Sequence, residues 1–154
     1  MKITVYKAKR LLIAEESGRE AHRCAIQLGK EPVGHKRAEG DGKTPEGRYY
    51  ICTKNAQSKF HLALGVSYPA PEDALAALSE GRISAEQLLV IEQAHADRKR
   101  PAWDTPLGGF IMLHGEHPEG KTGDWTAGCV AMANSDIEFL FAMAQYGDEI
   151  EILP

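Results

Sequence analysis

The 154-residue chain is poor in three things, and each absence narrows the possibilities. No apolar run approaches the roughly 20 residues needed to cross a bilayer as a helix, so no membrane span is expected. There is no excess of basic residues: 18 Lys and Arg face 22 Asp and Glu, for a formal net charge of −4. That balance argues against non-specific binding to nucleic acid, which needs a basic surface. Cysteine is scarce and odd in number, at 3, so the set cannot pair fully within one chain. Cys24 in "HRCAIQLG" and Cys52 in "YYICTK" read as small apolar filler of strands. Repeats, low-complexity tracts and linker-like segments are also missing, so residues 1–154 read as one domain.

What is present is ordinary for a globular protein: 43% hydrophobic and 26% charged residues. The opening "MKITVYKAKRLLIAEESGRE" alternates and carries early charges, unlike a basic segment followed by an apolar core. It is compatible with a cytoplasmic protein, or with one whose export segment was removed upstream of this sequence. The first half reads as strands: "KITVYKA", "RLLIAEE" and "AHRCAIQLG", with a turn at Ser17-Gly18. A Gly-rich loop, "GDGKTPEG", leads to a strand around Tyr49 to Cys52, and "KFHLALGVSYP" reads as another, ended by Pro69. Two helices follow as an insertion. "PEDALAALSEG" has Pro71 at its start and Gly81 past its end, and "ISAEQLLVIEQAHADRKR" has a capping box at Ser84 and Gln87 with cations at Arg98–Arg100. "GGFIMLHGE" predicts a buried strand and "GCVAM" a short one. "NSDIEFLFAMAQYG" predicts a helix capped by Ser135 and Glu138 and stopped at Gly147, and "DEIEIL" a final strand. The fold class is mostly β with flanking helices (α+β).

Two motifs fail on inspection. "GDGKTPEG" lacks the glycine that a phosphate-binding loop ending at Gly42-Lys43-Thr44 requires, since Arg37 stands there, and a strand follows rather than a helix. His61, His95, His114 and His117 with a cysteine would make a zinc set by residue type, but no spacing among them matches a structural or catalytic pattern. No metal is expected.

The surviving constellation is Cys129 with His114. A thiol attacks a carbonyl as thiolate and needs a base to make it one. His114 ends the apolar strand "FIMLH" and Cys129 begins "CVAM"; if these pair, both side chains reach one edge of the sheet. Gly128 permits an unusual backbone before the nucleophile, and the N–H groups near Gly128 and Cys129 suit an oxyanion. Thr126 is placed to bond the imidazole or the loop.

At these residues the sequence resembles the L,D-transpeptidase catalytic domain of the YkuD type. The resemblance lies in His114-Gly115 after a strand and Thr126-Ala127-Gly128-Cys129-Val130 after a loop. "DGKTPEGRYYI" is similar to the family's Gly-Pro-Gly hairpin, and "FHLALGVSYP" to its central strand, so the likeness runs from about Ile3 to Leu153. It implies a YkuD-like β-sandwich without cofactor, with Cys129 as nucleophile and His114 as base. It further implies that Gly115 and Thr126 orient the histidine and that Gly128 and Cys129 give oxyanion donors. The implied substrates are peptidoglycan stem peptides, cut at the diamino acid carbonyl through a thioester with loss of D-alanine. The implied setting is the periplasm or cell envelope. The family often has His where Ala127 stands and Arg where Ala131 stands; "DWTAGCVAM" is similar to a branch with Asp-Trp before the Thr and no such Arg. Without it, a peptidase or amidase acting on a stem peptide or a protein–peptidoglycan link is the alternative, and a non-catalytic wall-binding module a third. His61, Asp124 and Trp125 are candidates for contacting substrate. Oligomeric state is not written in the chain.

Overall fold

Alternation sets the first strands. In a computed structural model describing residues 1–154, Lys2–Tyr6 (β1) turns Ile3 and Val5 inward, and Leu11–Glu16 (β2) turns Leu12 and Ala14 inward. Arg19–Ala25 (β3) folds back on β2 through Ser17 and Gly18, both at positive φ (52° and 75°), the geometry of a two-residue hairpin. Gly47–Ser58 (β4) and His61–Val66 (β5) form a second hairpin. Pro71–Ser79 (α1) and Ala85–Ala96 (α2) follow. Met112–His114 (β6), Val130–Ala131 (β7), Asn134–Met143 (α3) and Glu149–Leu153 (β8) complete the chain.

The strands make one eight-stranded sheet in the order β3-β2-β1-β8-β4-β5-β6-β7. β4 belongs to both halves. Gly47–Tyr50 pairs with β8, and from Ile51 onward the strand pairs with β5, with a register shift between Ile51 and Thr53. Such irregularities bend a strand. The sheet therefore curls over a core of 27 buried residues drawn from both halves, including Ile3, Leu12, Ile51, Leu64, Leu113 and Ile150. The sandwich is thus a single sheet folded onto itself.

Its two edges meet in a seam. Gln27, just past β3, exchanges both backbone hydrogen bonds with Ala131 of β7 (2.8 and 2.9 Å). Thr126 N–H donates to Leu28 O (3.1 Å), and Lys30 N–H to Thr126 O (3.0 Å).

Several boundaries differ from the sequence reading. β4 runs on to Ser58, well past Cys52. The apolar run "GGFIMLH" yields only Met112–His114 as strand, because Phe110 takes a left-handed φ of 57°. The Ser84–Gln87 capping box forms as expected (3.1 and 2.9 Å). The Ser135–Glu138 box does not. α3 starts two residues earlier than a Ser135 cap implies, and Glu116 serves as its cap: Asn134 N–H donates to the Glu116 carboxylate (3.1 Å) while Glu116 N–H donates to Asn134 Oδ1 (2.9 Å). A carboxylate there also suits the positive end of the helix dipole. The helix ends at Met143, before Gly147. The cations at Arg98–Arg100 lie beyond the end of α2 rather than in its last turn. Around the α1–α2 insertion, Tyr50 Oη donates to Lys99 O (2.6 Å) and His95 Nε2 bonds Pro69 O (2.9 Å), and neither helix forms a hydrogen bond with His114 or Cys129.

Candidate active site

The two strands carrying His114 and Cys129 do pair, in parallel, with Leu113 opposite Val130 and His114 opposite Ala131. One step back along that register sets Cys129 beside Met112, whose N–H points at the sulfur (3.4 Å). Side chains alternate along a strand. Leu113 and Val130 enter the core, so Met112, His114, Cys129 and Ala131 share the opposite face.

His114 is 2% exposed and held on three sides. Its Nδ1–H donates to Gly115 O (2.8 Å), which leaves Nε2 as the nitrogen with the free lone pair. Phe60 stacks on the ring at 4.4 Å with an interplanar angle of 21°, and Trp125 lies at 5.6 Å. Burial lowers the imidazole's pKa from its ordinary value, outweighing the hydrogen bond to Gly115, so the ring is neutral at neutral pH. Burial also pushes the Cys129 thiol up to about 11, against the weaker opposing pull of the Met112 N–H and of Lys36 and Lys59. The resting pair is thus thiol and neutral imidazole. The thiol donates to Phe110 O (3.3 Å) rather than to His114.

The turn before the nucleophile is closed by Thr126. Its hydroxyl donates to Cys129 O (2.7 Å) and accepts from Gly128 N–H (3.1 Å). Thr126 therefore braces the loop and makes no bond to the imidazole; Gly115, through its carbonyl, orients the ring. Gly128 N–H is engaged in this turn, whereas Cys129 N–H is taken up by no protein group. Gly128 has φ 137°, and a Cβ there would lie 2.7 Å from Lys43 O. A Cβ on Gly115 would lie 2.4 Å from Asn134 Oδ1 and 2.7 Å from Phe60 O. Both positions exclude a side chain.

The three residues considered for substrate contact divide. Trp125 walls the histidine, its ring against Phe60, His114 and His117 and its Nε1–H on Gln27 (2.7 Å). Asp124 accepts both Arg10 Nε (3.1 Å) and Nη2 (2.8 Å) and the Leu28 N–H (3.0 Å), so it ties the loop to the first hairpin. Arg10 holds its carboxyl below the usual carboxylate range. His61, at φ 73°, is exposed and paired with Glu138 of α3 (2.7 Å). Phe60 and Phe110 were missed: one covers the imidazole and the other's carbonyl accepts the thiol's hydrogen bond. His61, His95, His114 and His117 are not gathered at one point: His61 pairs with Glu138 and His95 with Pro69 O. The "GDGKTPEG" loop is no phosphate cradle: Thr44 is fully buried, its hydroxyl accepting from Gly29 N–H (3.2 Å).

A family model described as the L,D-transpeptidase catalytic domain, YkuD, matches residues 1–152. The chain belongs to this family. Among solved structures, this YkuD domain is similar to the helical cell shape determining protein Pgp2 from Campylobacter jejuni, at TM-score 0.68 and 21% identity over 98% of the chain. Bd1075 from Bdellovibrio bacteriovorus matches at 0.61 and 22% over 98%. An L,D-transpeptidase from Mycobacterium smegmatis matches at 0.57 and 10% over 99%. At these identities the likeness is one of fold. The domain spans 46% of the length of Pgp2 and of Bd1075, and 58% of the mycobacterial enzyme. No curated protein sequence matches it.

Proposed function

We propose that this YkuD domain is a cysteine acyltransferase acting on peptidoglycan stem peptides in the cell envelope. The observation that carries the reading is the shared face of β6 and β7, where a neutral His114, locked by Gly115 O, stands one register pair beyond Met112 and Cys129 and on the same side. His114 Nε2 takes the thiol proton as Cys129 Sγ attacks the carbonyl carbon of the diamino acid. Cys129 N–H receives the developing oxyanion. Collapse expels D-alanine, whose amine takes the proton back from the imidazolium, and leaves a thioester on Cys129. An incoming amine gives up its proton to His114 and forms the new amide, releasing the thiol.

Water in place of the amine gives a carboxypeptidase or amidase. One observation favours that second reading: Ala131, opposite His114 in the register and 1% exposed, provides no cation at the position where the family often has Arg. A wall-binding module without catalysis is disfavoured, because binding needs neither a thiol nor a locked imidazole.

The test is intact-protein mass spectrometry after mixing with a diaminopimelate-containing tetrapeptide stem. We expect a mass increase equal to the peptide less D-alanine, absent in Cys129→Ser, with His114→Ala slowed by about 10²–10⁴-fold, as loss of a general base does. An adduct that survives Cys129→Ser, or wild-type turnover in His114→Ala, sinks the assignment. Amide and free-acid products separate transfer from hydrolysis.

A further inference from the structure

A second cluster of reactive side chains lies at the other edge of the curled sheet. His22 and Cys24, two apart on β3, turn to the same inward side, and Asp136 reaches them from the first turn of α3. One ligand-type atom from each lies within 4.8 Å of the others. We propose that His22, Cys24 and Asp136 form a binding site for a single divalent transition-metal ion, Zn²⁺ foremost.

Four observations support it. The donors are an imidazole nitrogen, a thiol and a carboxylate, the set that zinc takes. Once the thiol gives its proton to solvent, thiolate and carboxylate balance the charge of a dication. The spacing is close: His22 Nε2 stands 2.8 Å from Asp136 Oδ1. Ligand atoms around a tetrahedral zinc with bonds of about 2.0–2.3 Å lie roughly 3.3–3.8 Å apart, so shifts of about an ångström complete the geometry. The ring is held: Phe139, on α3, stacks on His22 at 4.5 Å and 19°, and the hydrogen bond to Asp136 turns Nε2 toward the carboxylate. Finally, a cleft lined by Ala25, Gln27, Met132 and Asp136 opens at the carboxylate, so solvent reaches the Asp136 side of the cluster.

The same trio by residue type is a Cys–His–Asp nucleophile set, and the structure opposes that use. Cys24 is 7% exposed, which shields its sulfur from an acyl donor. Burial, reinforced by the Asp136 charge, pushes its thiol up to about 12. A bound cation reverses that balance, since coordination deprotonates the thiol. The consequence is a clip between β3 and α3. β3 runs straight into the seam that holds the nucleophile loop, and α3 is capped by the residue that follows His114-Gly115.

The experiment is titration of the full chain with Co²⁺, followed by thiolate-to-cobalt charge-transfer absorption, then displacement by Zn²⁺. We expect one equivalent per chain and a charge-transfer band that is lost in Cys24→Ser and kept in Cys129→Ser. Asp136→Asn and His22→Gln are expected to weaken binding by more than about tenfold. Zn²⁺ is expected to raise the melting temperature of the wild type and of Cys129→Ser but not of Asp136→Asn, a change at a side chain 23% exposed whose folding in chelator is checked by circular dichroism. No binding, or a band that disappears with Cys129 instead of Cys24, overturns the proposal. Because Cys129 is tested separately, failure here leaves the acyl-transfer reading untouched.

Discussion

Burial, not a neighbouring charge, sets the proton affinity of Cys129, and this fixes how its reactivity depends on pH. The thiol titrates toward about 11, so alkylation by a small neutral haloacetamide is expected to keep rising from pH 7 to pH 10. A plateau already at pH 7 would mean a resting thiolate–imidazolium pair and would contradict the neutral state. Turnover is expected to fall only below the ordinary histidine value of 6.5, because His114 titrates lower. Stability follows the same signs. The His114 contribution is present above 6.5 and is lost as pH falls through its depressed value. The Cys129 contribution is present below 9.0 and is lost as pH rises toward about 11. Thr126 gives a second prediction at this scale. Thr126→Val strands the Gly128 N–H and the Cys129 carbonyl, which costs about 1–3 kcal/mol, lowering the thermal midpoint and turnover together, whereas Thr126→Ser keeps both bonds. His114, Gly115, Thr126, Gly128 and Cys129 were legible because each carries its chemistry in its residue type. Phe60 was not. Its stacking on His114 depends on a turn between β4 and β5 that brings together residues 54 positions apart, and no periodicity encodes that.

Elements show the same division between local and distant causes. The cap of α2 is written within four consecutive residues, Ser84 to Gln87, and it forms. The cap of α3 comes from Glu116, 18 residues upstream, so the local Ser135–Glu138 pattern misled. Glu138 instead takes His61. The two caps differ in what they support. Ser84→Ala is expected to lower stability by about 1 kcal/mol with acyl transfer unchanged, because no hydrogen bond joins α2 to His114 or Cys129. Glu116→Ala is expected to cost a similar amount, about 0.5–2 kcal/mol, and to slow acyl-enzyme formation as well, since Glu116 directly follows His114-Gly115. Denaturant melts read beside acylation rates separate the two. Equal loss of rate in both variants would refute the distinction.

Across the whole molecule, the alternating strands and the mostly β class were readable from residue pattern, but the closure of the sheet was not. The seam joins Gln27–Lys30 to Thr126–Ala131 through backbone groups, which every sequence supplies. A sequence trace of it, beside Asp124 and Trp125, is Gly29, where a Cβ would lie 2.1 Å from Gly42 O and 3.0 Å from the Gly128 Cα. Gly29→Ala is therefore expected to destabilise by about 1–3 kcal/mol or more and to impair acylation, although the residue bears no reactive group. A neutral Gly29→Ala would show the seam to be loose.

The position of β8 in the strand order also bears on how the molecule is made. Glu149–Leu153 lies between β1 and β4, parallel to the first and antiparallel to the second. The segment that a ribosome adds near the end of these 154 residues is therefore the strand that fills the middle of the sheet, between the first hairpin and β4. While residues 149–153 are still inside the exit tunnel, β1 and β4 each present an unpaired edge, the condition in which strands recruit other chains. A nascent chain of this domain waits, open at its centre, until synthesis has delivered that strand.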